Sequence, residues 1–451
     1  MFMGTVKRTY SLRGVLKGGS WLAGARAFTI VGNIALMAII PRLLGSEEFG
    51  IWAVITSTTG LLAVFNLGLG LAGRNKLAVL KHNAPEGEEA RLFWSMFWFL
   101  LVVVIVIALS GLFSFRWVDY NGLFTVKDAS LSWMAGNYLI IASLFCLLII
   151  PFYLIDDIPY AYHHFKFIAL FQCFYTIIPQ LIGVAVAFLV VNKLFVLILC
   201  TFMIRLLLSL AFTWFFVAQK GWSFMVPPLG IIWGNIKLLI GPALRFWLIT
   251  SATLFIFVTD TLFISKEVSV SEAGQYNLLL KIYFTIVTFY SLIMAPMWNF
   301  YTDAATMGDW KWVRHAVNKT WIISIGGMII LSFILFPIVR PLVRFWSGVP
   351  IQLGSGVILA CSVWATASVW KTVLGNFLNG INATRYRTLA LVVGALISVP
   401  LKIHLIKIWG VMGAPWGTVF SLVPLMLVDT IQSQRIIQRN FAAVKSESLS
   451  T

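Results

Sequence analysis

Leu92–Phe115 has the sequence LFWSMFWFLLVVVIVIALSGLFSF, which contains no ionisable side chain. The hydrocarbon core of a bilayer is about 30 Å thick, and an α-helix needs about 20 mainly apolar residues to cross it. The stretch is long enough and apolar enough to do so. It therefore predicts a membrane-spanning helix.

Stretches of this kind recur along the whole chain. The 451 residues are 60% hydrophobic and 11% charged, with a mean hydropathy of +0.92, a composition that excludes a soluble globular protein. Length and apolarity predict an all-α polytopic membrane protein with about 12 transmembrane helices. The predicted spans are 18–40, 49–71, 92–115, 134–155, 167–190, 194–217, 238–264, 274–300, 320–343, 351–379, 387–406 and 411–430.

The basic residues outside the spans or near their ends predict the orientation. With the N-terminus in the cytoplasm, nineteen Lys and Arg fall on the cytoplasmic side and nine on the other side, among them Lys402 and Lys407. Cytoplasmic loops carry the basic excess in membrane proteins. We therefore expect both termini in the cytoplasm of a multi-pass protein of the bacterial inner membrane.

The chain resembles a duplicated sequence. Three pairs of positions match at offsets of about 220 residues. They are GSEEFGIW (Gly45–Trp52) with VSVSEAGQY (Val268–Tyr276), Arg26 with Arg245, and YHHFKFIAL (Tyr162–Leu170) with ATRYRTLA (Ala383–Ala390). Six spans per repeat give both halves the same orientation, so a pseudo-twofold axis along the membrane normal is expected. The predicted division is a six-helix bundle at 1–219, a second at 220–430 around a central cavity, and a polar cytoplasmic tail at 431–451.

Five basic residues lie deeper within the predicted spans than the others: Arg26, Arg205, Arg245, Lys281 and Lys371. A charged side chain at the bilayer centre costs roughly 2.5–3.5 kcal/mol on the insertion scale. The favoured interpretation is that these residues line an internal, water-filled cavity that binds an anion. Arg26 and Lys371 lie near span ends, so for these two the alternative is that the side chain extends to the interface.

Polar residues share a helical face with some of these cations. Arg26, Thr29 and Asn33 follow at i, i+3 and i+7, which places them on one side of the first span. Asn33 is therefore a further candidate for the substrate cavity. Asp260 is the single carboxylate that the sequence places comparably deep. Two roles stay open for it: a proton or sodium site, or a counter-ion to Lys281.

The motifs of soluble enzymes and nucleic-acid binders are missing from the sequence. Gly68, Gly70 and Gly73 match G-x-G-x-x-G, but they close an apolar span instead of a β-α turn. The cysteines lie within apolar spans without metal-ligand spacing. The net charge of +17 is scattered over loops instead of one face, so nucleic-acid binding is not indicated. We expect no enzyme activity, no cofactor and no metal.

Three segments resemble the polysaccharide transporter family, which contains lipid-linked oligosaccharide flippases such as the O-antigen flippase. They are IPRLLGSEEFGIWAVITSTTGLLAVFNLGLG (Ile40–Gly70), LGNFLNGINATRYR (Leu374–Arg387) and GVMGAPWGTVFS (Gly410–Ser421). The resemblance implies the fold of the multidrug, oligosaccharidyl-lipid and polysaccharide exporters, with two six-helix bundles around a V-shaped cavity. Related peptidoglycan-precursor flippases match less well, because they have fourteen spans.

The resemblance also implies a function. Its substrate would be an undecaprenyl-diphosphate-linked oligosaccharide, an O-antigen or exopolysaccharide repeat unit used in lipopolysaccharide biosynthesis. It would move from the cytoplasmic to the periplasmic leaflet, with a polysaccharide polymerase of the same pathway as a candidate partner. The family's cationic cavity maps onto the five basic residues as candidates.

Two alternatives remain. An ion-coupled multidrug antiporter of the same fold needs carboxylates in its cavity, and the sequence offers Asp260 against five basic residues. A membrane-embedded enzyme of the same pathway needs a sizeable extramembrane loop, which the sequence lacks.

Overall fold

The computed structural model describes residues 12–83, 85, 87–114, 121–126, 129–294, 297–381 and 383–450. These residues form α-helices, short 3₁₀ turns and connecting loops, with no β-strand among them. The helices are α1 (Leu12–Leu61), α2 (Leu69–Asn83), α3 (Glu88–Ser114), α4 (Ala129–Ile149), α5 (Leu154–Ala161), α6 (Phe165–Ala187), α7 (Lys193–Gln219), α8 (Leu229–Phe257), α9 (Asp260–Glu267), α10 (Val270–Met294), α11 (Met297–Thr306), α12 (Trp310–Ser347), α13 (Ser355–Gly380), α14 (Arg385–Trp409) and α15 (Gly413–Ser450).

Nine stretches of the described residues are long and apolar enough to cross a membrane. Two of them, Ser20–Asn66 and Arg385–Phe441, are 47 and 57 residues long, enough for two crossings each. Both stretches are interrupted by a glycine with a positive φ, Gly45 in α1 (78°) and Gly410 after α14 (59°), a conformation that glycine adopts without a steric penalty. α10 is about 37 Å long at 1.5 Å per residue, which is long enough for another crossing. The described residues therefore form an all-α polytopic membrane protein with about 12 transmembrane helices, as predicted from the sequence.

The exposed faces of the long helices are apolar. On α3, Val102, Val106, Leu109 and Phe113 are exposed and recur at helical spacing, with Phe113 72% exposed. Such faces suit contact with lipid tails, because inside a bilayer each helix satisfies its own backbone hydrogen bonds. The apolar exposure thus agrees with a membrane location.

The packing of the helices divides the chain into two compact units. The first unit comprises the described residues of Met1–Leu36, Phe65–Phe113 and Leu144–Trp247. The second unit comprises those of Met37–Val64, Ser114–Ser143 and Leu248–Thr451. These units are discontinuous in sequence and differ in their boundaries from the ranges 1–219 and 220–430. The division into two six-helix halves stays a prediction.

In the first unit, close contacts between helices rely on small residues. Gly183 of α6 lies against Leu197 and Cys200 of α7, and Gly70 of α2 lies against Asp157 of α5. The linker at 220–228 is fixed to α3, because the indole N–H of Trp94 donates to the Ser223 carbonyl at 2.9 Å. Trp98 donates in the same way to the carbonyl of Met225 at 3.0 Å.

In the second unit, α14 and α15 form a tight antiparallel pair, and α15 also packs on α13. Gly413 packs on the backbone of Leu405 and Ile406, and Gly417 packs on the side-chain stem of Lys402. A buried apolar cluster joins this pair to α8 and α13. Its members are Ile256, Ala367, Ala390, Leu422 and Leu425. The end of α8 is thereby fixed against the α14–α15 pair.

Two glycines from the predicted repeats touch each other in the second unit. A Cβ built on Gly274 would lie 2.9 Å from the α-carbon of Gly50, and one built on Gly50 would collide with the Val270 carbonyl. Only glycine permits this approach of two backbones. The matching glycines of Gly45–Trp52 and Val268–Tyr276 therefore pack on each other, and the duplication stays a prediction.

Candidate functional site

The seven candidate residues are divided between the two units. Arg26, Asn33, Arg205 and Arg245 lie in the first unit, and Asp260, Lys281 and Lys371 lie in the second unit. Each group is described within its own unit.

Arg26 lies on an exposed position of α1, on the polar face predicted from the sequence. The Thr29 hydroxyl donates to the Arg26 carbonyl at 2.9 Å, and the Asn33 amide donates to the Thr29 carbonyl at 2.8 Å. The guanidinium of Arg26 interacts electrostatically with the phenol of Tyr160. The side chains of Thr29 and Asn33 thus bond to their own helix, whereas the charge of Arg26 interacts with Tyr160.

Arg205 is half-buried on α7 among aromatic rings. Its guanidinium carbon lies 5.4 Å from the ring centroid of Tyr175 and 5.8 Å from that of Phe202. Its Nε is buried without a hydrogen-bond partner among the described residues. A cation on an aromatic face gains part of the stabilisation that it loses with water. Its donor at Nε remains unused within the described part of the chain.

The structure adds two carboxylates that the sequence analysis did not place inside the membrane. Asp156 and Asp157 lie on α5, directly after the predicted span 134–155, and they interact with each other electrostatically. Arg74 of α2 interacts with Asp157 and lies over the ring of Tyr160, 4.5 Å from its centroid. Because Asp156 also interacts with Tyr160 and Tyr175, these groups form one polar network.

This network connects the candidate cations of the first unit. Arg26 and Arg74 both act on Tyr160, Tyr160 interacts with Asp156, and Tyr175 links Asp156 to Arg205. Gln172 of α6 hydrogen-bonds Tyr160. The helices α1, α2, α5, α6 and α7 therefore contribute polar groups to one region of the unit.

Arg245 is an exposed residue of α8. Gly68, the residue before α2, packs closely on α8 beside Arg245. A Cβ on Gly68 would meet the Ala243 carbonyl and the Trp247 amide. Among the described residues Arg245 has no ion pair, and the same holds for Arg26 and Arg205. Three arginines in the spans of the first unit thus have no described carboxylate within 4.0 Å.

Asp260 forms an ion pair with Lys402, not with the Lys281 that the sequence suggested as counter-ion. Lys402 was assigned to the external side by the charge count, and that assignment is wrong: α14 extends beyond it to Trp409, and its side chain is 0% exposed. The Tyr276 hydroxyl donates to Asp260 Oδ2 at 2.7 Å. Because no repeat or motif relates Asp260 to Lys402, no signal in the sequence could have identified this pair.

Lys371 lies beside a second buried ion pair. Its Nζ is 4.4 Å from the centroid of the Phe257 ring, and it interacts electrostatically with Arg387 and Asp429. Arg387 Nε is 3.2 Å from Asp429 Oδ2, and Arg387 also donates to Asn379 Oδ1 at 3.3 Å. Asp429 therefore partly compensates the charge of Lys371.

Lys281 lies half-buried on α10. The Thr285 hydroxyl donates to the Lys281 carbonyl at 2.7 Å, and the Thr288 hydroxyl donates to the Phe284 carbonyl at 2.7 Å. As Thr29 does on α1, these two threonines bond to the backbone of their own helix. Their hydroxyl groups are thereby less available to a ligand.

A basic and aromatic cluster lies beyond the ends of the spans in the first unit. The Tyr162 hydroxyl donates to Glu89 at 3.0 Å, and Lys220 Nζ lies 3.3 Å from the centroid of the Tyr162 ring. Burial and the Glu89 carboxylate raise the pKa of Tyr162 well above its usual value. Burial, with Lys220 and His163 nearby, lowers the pKa of the half-buried His164 below 6.5.

Comparison with known proteins identifies the fold. No protein-family model matches the sequence. The chain is 17% identical over 422 residues to a Salmonella typhi protein named "Putative O-antigen transporter", covering 90% of this chain and 92% of that protein. The structure matches the lipid II flippase MurJ in an inward closed conformation with a TM-score of 0.69, at 13% identity over 96% of this chain and 93% of that one. It also matches an inward-facing multidrug resistance MATE family transporter of the MOP superfamily with a TM-score of 0.66, at 10% identity over 93% and 96%.

The chain has the MOP transporter fold. The fold implied by the resemblance of Ile40–Gly70 and the two later segments is thereby confirmed. At these identities the likeness shows the MOP fold alone, and the substrate has to be argued from the residues of this chain.

Proposed function

We propose that this protein is a flippase for an oligosaccharide linked to a polyprenyl diphosphate. The observation that carries the proposal is that Arg26, Arg205 and Arg245 lie in the spans of the first unit without an ion pair among the described residues. Uncompensated guanidinium groups in a membrane are costly unless a ligand or water meets them. A diphosphate supplies the missing negative charge.

The chemistry of the guanidinium suits this ligand. Arginine presents five N–H donors in a planar fork that matches phosphate oxygens, and such charge-assisted hydrogen bonds are about twice as strong as neutral ones. The Nε of Arg205, which has no partner among the described residues, offers a donor. The network around Tyr160 adds hydroxyl, amide and carboxylate groups that can hydrogen-bond a sugar. The polyprenyl chain would stay in the lipid.

The multidrug antiporter is less well supported, because most deep carboxylates already have a cationic partner. Asp260 pairs with Lys402, Asp429 pairs with Arg387, and Asp157 faces Arg74. The fourth deep carboxylate, that of Asp156, differs from these three, because its electrostatic neighbour is the carboxylate of Asp157. A cationic drug would therefore find few free carboxylates.

The direction follows from the distribution of basic residues. The cytoplasmic excess of Lys and Arg supports cytoplasmic termini in the bacterial inner membrane. Carrier-linked repeat units, of O-antigen or exopolysaccharide, would then enter from the cytoplasmic leaflet and leave on the periplasmic leaflet by alternating access. A polymerase would be the next protein to use them.

The test measures on which leaflet the lipid-linked glycan accumulates in cells that lack the protein. The cells are complemented with wild type, with the double variant Arg26→Ala/Arg245→Ala, or with Arg205→Met. We expect only wild type to restore external glycan. The matched control is Arg439→Ala, which removes an exposed arginine of α15 beyond the predicted spans.

Two outcomes would reject the proposal. One is external glycan at wild-type level in cells without the protein. The other is normal transport by the arginine variants. That result would rule out the proposed anion site, although the fold of the protein would stand. Resistance to cationic drugs that depends on Asp156 would instead favour the antiporter.

A further inference from the structure

The candidate spanning stretch Leu229–Glu267 contains a break between two helices. α8 ends at Phe257, and α9 begins at Asp260. The carbonyl of Ile256, in the last turn of α8, accepts a hydrogen bond from Lys402 Nζ at 2.6 Å. Broken helices in transporters expose such carbonyls, and these oxygens often coordinate a coupling cation.

The ammonium of Lys402 is surrounded by oxygen atoms. Besides the Ile256 carbonyl, it contacts the Thr259 hydroxyl at 3.3 Å and forms the ion pair with Asp260 Oδ1. An ammonium has three N–H donors, and each has an oxygen acceptor here. The side chain is fully buried, so these oxygens take the place of water.

A second layer of hydroxyl groups holds the acceptors in position. Tyr276 donates to Asp260 Oδ2 at 2.7 Å. The Thr418 hydroxyl lies 3.4 Å from both Asp260 oxygens and 3.4 Å from the Ile256 carbonyl. Carbonyl, hydroxyl and carboxylate oxygens around one point are the ligands that hard cations prefer.

The path of the lysine stem is also shaped by its surroundings. A Cβ on Gly417 would lie 2.6 Å from Lys402 Cγ and 3.1 Å from its α-carbon. Glycine at this position of α15 thus leaves room for the stem as it passes to the broken helix. Two features let the ammonium reach the oxygen atoms. The helix break provides the Ile256 carbonyl, and Gly417 leaves room for the lysine stem.

We propose that the ammonium of Lys402 is a built-in replacement for a monovalent metal ion at the broken helix. The Ile256 carbonyl, Thr259 and Asp260 supply a cation site, and the lysine occupies it permanently. Wild-type protein therefore binds no sodium there, and removal of the ammonium opens a site for sodium or lithium. This inference is independent of the transported substrate.

The test uses purified full-length protein in detergent. The thermal unfolding midpoint is measured during titration with NaCl or LiCl, and choline chloride keeps the ionic strength constant. We expect the thermal unfolding midpoint of the wild-type protein to be the same in NaCl, LiCl and choline chloride. For Lys402→Ala we expect the midpoint to rise by about 1–2 °C for each tenfold increase of sodium above its dissociation constant.

Two variants serve as controls. Lys402→Ala/Asp260→Asn removes both charges and should lose the sodium response. Lys407→Ala removes a lysine of the same helix whose side chain is 61% exposed, and it should behave as wild type.

Three results would overturn the proposal. The first is a sodium-specific shift of the wild-type midpoint. The second is a folded Lys402→Ala protein that does not respond to sodium or lithium. The third is a Lys402→Ala protein that unfolds in every cation while the double variant folds, because the oxygens would then accept no ion other than the lysine.

Discussion

Replacing Arg387 by alanine tests how buried charges are compensated in the second unit. Asp429 has a 0% exposed side chain and loses its ion-pair partner, while Arg387 itself is 19% exposed. Removal of one partner of a buried pair costs about 3–5 kcal/mol. The charge of Lys371 nearby still acts on Asp429, so we expect the lower end of that range, about 3 kcal/mol.

The thermal unfolding midpoint in detergent at neutral pH measures this loss. Scaling the average unfolding entropy per residue to 451 residues converts about 3 kcal/mol into about 3 °C. The double variant Arg387→Ala/Asp429→Asn removes the unpaired carboxylate but also the partial compensation of Lys371, so it should recover part of the loss. Arg385→Ala, an exposed arginine two positions earlier, is the matched control and should change the midpoint little.

A double variant as unstable as Arg387→Ala would refute this reasoning. The loss would then come from the contact of the Arg387 guanidinium with α13 at Gly375, not from the uncompensated carboxylate. A strong dependence of the loss on salt would also contradict it, because salt screens a buried pair only weakly.

Three further predictions concern other parts of the molecule. Gly274→Ala should destabilise the protein by about 1–3 kcal/mol in the thermal unfolding assay, because its Cβ would meet the backbone of Gly50 2.9 Å away. The control is Gly241→Ala, which has open space around it and should be neutral or stabilising. Trp94→Phe should cost about 0.5–1.5 kcal/mol, since it removes the indole donor that holds the linker, and limited proteolysis at 220–228 should become faster. The pKa of His164 lies below 6.5 in the folded protein, so the unfolded chain binds the proton first and stability should fall as the pH drops below about 6.5. His164→Gln should make the stability depend less steeply on pH in this range. An unchanged dependence would contradict the lowered pKa of His164.

The spans could be predicted because apolar length alone decides whether a helix crosses a bilayer. The partners of the buried charges could not, because they depend on helix faces that meet only in the folded chain. Lys402 shows the difficulty. Near the end of a predicted span it counted as an external residue, whereas α14 continues past it and turns it towards the broken helix.

The carboxylates were missed for a related reason. Asp156 and Asp429 lie within a residue or two of predicted span ends, where charged residues are ordinarily solvated. In the structure Asp156 belongs to the short helix α5, and Asp429 lies under Arg387.

The contact of Gly50 with Gly274 bears on the ancestry of the chain. Equivalent residues that touch each other lie beside the axis that would exchange the two repeats. In a homodimeric ancestor, one codon would have set both sides of this contact, and one substitution would have crowded it twice. If the predicted repeats arose by gene duplication, that event separated the two positions, so that each glycine now evolves against a fixed partner.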